Sequence, residues 1–208
     1  MSAQSSKAFS TLIQTVKPTV FWEVGKAIGA YSWLALEHSR TCKAILFEAD
    51  PENYAALLKT IDSKQWHRAH AQNIVVSPIS AKAGEGDVCA KPGAEVVGTV
   101  PGGVPFEPKS IPSMAIKRGF YGLERNAIET LTLDELLASG YASPDIIKID
   151  TTAAERLIIE GARTVLETCS PVLIVKAASH ELICYLTSMS YRSFAFDQDN
   201  TIFISVYF

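Results

Sequence analysis

Two acids and two glycines early in the chain have the types and spacing to hold a ligand. Glu23 ends an apolar run (20–24), Gly25 and Gly29 follow, and Glu48 ends a second apolar run (44–48). A segment with helical spacing, residues 30–38, separates the two runs. Strand, glycine turn, helix, strand and acid is how an α/β sheet holds an adenosine-containing ligand. The glycines let the backbone approach it, and the second acid accepts hydrogen bonds from ribose hydroxyls. Glu48 is placed for that role. Glu23 can hold a ligand's ammonium group or stand as a solvated strand end. Tyr31 can pack over the ligand or into the core of an amphipathic helix.

A second set of candidates lies near residue 150. The run 145–150 reads as a buried strand ending in Asp150, with Lys148 two residues before it. Asp150 would face the sheet edge where α/β proteins bind ligands, placed to orient a hydroxyl or take its proton. Its alternative is an ion pair with Lys148 or Lys176. Glu155 is a site acid or a favourable charge at a helix start. Of the four histidines, His180 alone follows a C-terminal strand end, so it is the one histidine placed near an acceptor.

These residues need a frame, and the patterning supplies one. Strands are expected at 20–24, 44–48, 74–76, 145–150, 171–175, 192–196 and 201–207, the last two joined as a hairpin by Asp197-Gln198-Asp199-Asn200. Helices are expected at 9–16, 30–38, 52–61 with Pro51 opening the first turn, 153–168 and 180–189. A short helix after the N-cap Thr132 completes the set. Five β-α units and a terminal hairpin imply a mostly parallel sheet with helices on both faces. Residues 84–113 differ, with six glycines and five prolines around a β-like stretch at 94–100. That insertion is expected to lie as a lid over the mouth of the site.

Bulk properties bound the rest. The chain has 208 residues, 48% hydrophobic and 20% charged, with mean hydropathy +0.14, and reads as one domain, 1–208. A net charge of −3 gives no general drive toward nucleic acid. Cys42, Cys89, Cys169 and Cys184 form no Cys-x-x-Cys pair, so neither a metal site nor a disulfide framework is expected. No apolar run is long enough to span a bilayer, and the N-terminus lacks the core of a signal peptide. A reduced, cytoplasmic protein without nucleic-acid or membrane partners is the expectation.

The same order of elements resembles a class I S-adenosylmethionine-dependent methyltransferase, and within it the FkbM type, over residues 18–207. The carrying segments are 23–32, 47–53, 132–137 and 147–150 with Ala154, Glu155 and 160–162. The family normally reads acid-x-Gly-Ala-Asn-x-Gly, Phe-Glu-Pro-x-Pro-x-Asn and Lys-x-Asp-x-Glu-Gly-x-Glu in the first, second and fourth. The resemblance implies a Rossmann-like, seven-stranded sheet with an antiparallel C-terminal hairpin, and S-adenosyl-L-methionine as cofactor. It further implies a metal-free O-methyl transfer to a small molecule or sugar. On it, Glu23, Gly25, Gly29, Tyr31 and Glu48 bind cofactor. Asp150 and Lys148 are catalytic, and Glu155, Lys176 and His180 face the acceptor.

The departures are as informative as the matches. Lys26-Ala27 replaces the Ala-Asn pair, Thr152-Ala153 replaces Glu-Gly, and Lys176 stands where the family usually has an acid. Lys176 is expected to pair with Asp150 and so occupy the carboxylate that would take an acceptor's proton. The pattern fits altered acceptor specificity, a degraded catalyst that still binds cofactor, or an engineered chain. A nicotinamide-dependent oxidoreductase ranks last, because Ala27 breaks the Gly-x-Gly-x-x-Gly pattern.

Overall fold

The structure is a computed structural model that describes residues 2–25, 28–76, 87–89, 97–99, 105–106, 129–151 and 154–207. Helix α1 (Ala3–Val16) begins where the Ser2 hydroxyl accepts the Ser5 N–H and ends at Lys17 in the left-handed region. Its buried Phe9 and Ile13, four residues apart, face the sheet. Strand β1 (Val20–Val24), helix α2 (Ala30–His38) and strand β2 (Lys43–Phe47) follow. Helix α3 (Pro51–Lys64) carries Pro51 in its first turn and is capped by the Asp50 carboxylate. Strands β3 (Ala69–Gln72) and β4 (Ile74–Val76) come next.

The remaining elements are β5 (Asp87–Cys89), β6 (Val97–Thr99), β7 (Pro105–Phe106) and β8 (Glu129–Leu131), then α4 (Leu133–Ala138) and β9 (Ile146–Ile149). Helices α5 (Glu155–Glu160) and α6 (Arg163–Cys169), strand β10 (Val172–Lys176), helix α7 (His180–Ser188), and strands β11 (Tyr191–Ala195) and β12 (Asn200–Ser205) close the described chain.

Seven strands form the main sheet in the order β3-β2-β1-β9-β10-β12-β11. The first five are parallel, and β12 runs antiparallel to both β10 and β11, which is the expected fold class. All five residues of β1 are buried, as a strand covered on both faces must be. Alternation divides them. Trp22 and Val24 enter one core with Ile147 and Ile149, whereas Phe21 enters the other with Ile146, Ile174, Phe9 and Tyr31. The chain leaves β1 toward β2, while β9 lies on the other side of β1. The carboxyl ends of β1 and β9 thus form the switch point where sheets of this kind bind ligands.

Three expectations are corrected. The third strand of the main sheet is β3, not 74–76; β4 pairs instead with β8 in a separate two-stranded parallel sheet. The helix expected at 153–168 is two helices, broken at Gly161 and Ala162. The Asp134 carboxylate reaches across from α4 and accepts the Thr164 and Val165 N–H groups, each at 2.9 Å, capping α6 from another element. The first helix also starts six residues before the expected residue 9. Of the insertion at 84–113, only β5, β6 and β7 are described, as a three-stranded antiparallel sheet. The rest lies outside the described residues, as do the departures at 26, 27, 152 and 153.

Candidate functional site

The glycine turn after β1 is fixed by protein contacts. The Gly25 N–H donates to the Phe47 carbonyl at 2.9 Å, tying the turn to the end of β2. Gly25 has φ +80, and a Cβ there would lie 2.7 Å from Thr151 Cγ2 and 2.8 Å from the Asp150 carbonyl oxygen. Gly29, at φ +64, would press a Cβ to 2.6 Å from the Trp33 ring. Both positions therefore exclude a side chain on conformation and on space. Backbone lies close-packed between the ends of β1, β2 and β9.

Glu48 stands at the end of β2, 5% exposed. Its Oε1 accepts the Asp50 N–H at 2.8 Å, and the Asn73 amide donates to its carbonyl at 2.9 Å. The carboxylate is thus held beside the start of α3 on the β2 side of the glycine turn.

On the other side of the turn lies a buried cluster of alternating charge. Glu23 and Lys148 are neighbours in the β1–β9 register and share the face that carries α2, at 4% and 0% exposure. Glu23 Oε2 accepts both the N–H and the hydroxyl of Ser32, at 2.8 and 2.5 Å. Burial pushes the Glu23 carboxyl above the usual carboxylate range, against the pull of the Ser32 hydrogen bonds and Lys148. The Lys148 ammonium donates to the Ile149 carbonyl at 3.0 Å, and lies 3.9 Å from Asp150 Oδ2 and 5.2 Å from the centre of the Tyr31 ring. Burial pulls Lys148 down to about 8, with Asp150 and Glu23 acting in the other direction. Asp150 Oδ1 meets Lys176 Nζ at 3.2 Å, so the expected pair with Lys176 forms.

The remaining expected residues fall as follows. Glu155, at 9% exposure, accepts the Thr151 hydroxyl at 3.2 Å, and burial raises its carboxyl. Through Thr151 it adjoins Gly25. Tyr31, 7% exposed, packs edge-on against Phe9 at 4.9 Å, so its ring belongs to the core and faces Lys148 from there. His180 opens α7 on the exposed surface, 3.5 Å from Cys184 Sγ, apart from the cluster. Sequence reasoning missed Ser32, Thr151 and Asn73. It also missed Asn200, whose amide lies 3.5 Å from the Tyr31 hydroxyl and bonds Asp197. Only Asn200 had a usable signal, since a hairpin partner of the strand ending at Lys176 had to fall near it. Among the described residues no group of three or more ligands could hold a metal ion, and no helix is long and apolar enough to cross a membrane.

A sheet in this strand order, closed by an antiparallel hairpin and with acids at the ends of β1 and β2, defines the class I methyltransferase fold. The profile of the methyltransferase FkbM domain matches residues 23–193, and the chain belongs to that family. Solved structures agree on the fold. The FkbM methyltransferase of Methylobacillus flagellatus KT is similar at TM-score 0.59 and 15% identity, covering 89% of this chain and 43% of that one. This chain thus spans less than half the length of that relative. The SAH-bound Podospora anserina methyltransferase PaMTH1 is similar at TM-score 0.54 and 9% identity, over 99% of this chain and 79% of that one. The Bacillus cereus O-methyltransferase in complex with SAH gives 0.53 and 11%, over 98% and 80%. No curated protein matches the chain.

Proposed function

We propose that the chain binds S-adenosylmethionine at the carboxyl ends of β1 and β2 and transfers its methyl group to an oxygen of a small molecule or sugar. The carrying observation is Glu48, a buried carboxylate fixed at the end of β2 beside a turn that only glycine can make. An acceptor-only carboxylate there suits the two hydroxyls of a ribose, so the residues present fit the nucleoside half of the cofactor. The family and the two SAH-bound structures of the same fold support the same ligand.

When bound, S-adenosylmethionine supplies a methyl group already activated on a sulfonium. The protein's task is alignment and removal of one proton. Glu48 would hold the ribose, and Gly25 and Gly29 would shape the turn beside it. Glu23 and Tyr31 support the turn and α2 from behind. Asp150, whose side chain is 22% exposed, orients the acceptor hydroxyl and takes its proton. Lys148 stays buried behind it, while Glu155 and Lys176 flank the acceptor side.

The 3.2 Å pair between Lys176 and Asp150 favours a second reading, a fold that binds cofactor but transfers slowly or not at all. Calorimetry with S-adenosylhomocysteine and with NAD tests the ligand. Binding of the first and not the second is expected. NAD binding alone would replace the proposal with an oxidoreductase.

A further inference from the structure

The buried cluster does more than neutralise charge. Six groups bear on the Lys148 ammonium: Glu23 from β1, the Tyr31 ring from α2, Asp150 at the end of its own strand, Glu155 from α5, Lys176 from β10, and Asp197 from the turn before β12. Glu23 in turn grips Ser32 in the first turn of α2, just beyond Gly29. An alternating series of charges therefore runs from the glycine turn to the acceptor-side carboxylate, through Glu23, Lys148, Asp150 and Lys176. A fully buried lysine keeps its proton only while such partners stabilise it. An aromatic face at this distance is one of them.

We infer that Lys148 is a positioning residue that holds the Asp150 carboxylate through its charge, and that Tyr31 and Glu23 act with Asp150 to keep it charged. Asp150 then has two cationic neighbours of different kinds. Lys176 is partly exposed, whereas Lys148 is fully buried in the sheet. The functional side of this inference rests on the proposed methyl transfer. The coupling itself does not.

The test uses the full chain with isotope-labelled lysine and aspartate, titrated by NMR. Lys148 is expected to lose its proton near pH 8, with the Asp150 carboxyl signal stepping at the same midpoint. Tyr31→Leu should lower that midpoint by about half to one pH unit, the scale of a lost cation–π contact. Phe9→Leu removes packing from the same ring without touching the ammonium, and should leave the midpoint in place. Should Tyr31→Leu fail to fold, Glu23→Gln must shift the midpoint in the same direction. An Asp150 signal indifferent to Lys148, or an equal shift from Phe9→Leu, overturns the inference. Failure to bind S-adenosylhomocysteine would instead count against the proposed function alone.

Discussion

Gly25 and Lys148 show how tightly single residues are specified around the switch point. With φ +80 and backbone oxygen 2.8 Å from where a Cβ would sit, Gly25 can accept no side chain without moving the end of β9. Gly25→Ala should destabilise the fold by about 1–3 kcal/mol, measured by denaturant unfolding. Parent-like stability would mean that the turn is looser than it stands. Lys148 makes a prediction in pH. Its folded value, about 8, lies below the ordinary 10.5, so the unfolded chain binds this proton more tightly. Stability from this group therefore rises with pH between those values and is flat below them. Relative to Lys148→Met, the parent should gain about 2 kcal/mol between pH 8 and pH 10. An unchanged difference across that range would show that burial does not perturb the lysine. The type of these residues was legible in the sequence, but their setting was not. Glu23 looked like a ligand for a cofactor's ammonium, yet one of its oxygens is committed to Ser32, a partner that no spacing rule singles out.

Among the elements, those with strong apolar runs or caps were legible. β1, β2, β9 and β10 lie where the runs place them, and Thr132 is the N-cap of α4 in a full capping box with Glu135. Thr132→Ala should cost about 1 kcal/mol, and thermal unfolding checks it; no change in midpoint would mean that Asp134 and tertiary packing alone hold α4. Other elements were hidden for physical reasons. β3 reads Ala-His-Ala-Gln, and only its two alanines are buried. At an edge of the sheet it needs a covered face on one side and no large side chain, so it carries no hydrophobic signal. The neighbouring Ile-Val-Val run has that signal but pairs elsewhere, because register and partner are settled by tertiary contacts. The break between α5 and α6 depends on Asp134, some thirty residues away in sequence.

Across the whole molecule, the sheet is that of the family, while residues 26, 27, 152, 153 and 176 depart from the motifs the sequence resembles. A mostly parallel sheet with a terminal hairpin was legible, because strands buried on both faces read as continuous apolar runs. The acceptor was not, because it is selected by side-chain chemistry that strand patterning does not encode. If the departures impair transfer, then Ala27→Asn, Thr152→Glu, Ala153→Gly and Lys176→Glu together should raise the methylation rate with labelled S-adenosylmethionine over a panel of hydroxyl acceptors. An unchanged rate in a folded variant with acceptor bound would mark them as adaptations to another chemistry. Cofactor binding is proposed to depend above all on Glu48. Calorimetry of S-adenosylhomocysteine against the parent and Glu48→Ala tests it most directly. The variant should bind more weakly by about 1–3 kcal/mol, the loss of a charged hydrogen bond. Equal affinity, from a variant shown to be folded by unfolding at the parent's midpoint, would contradict it.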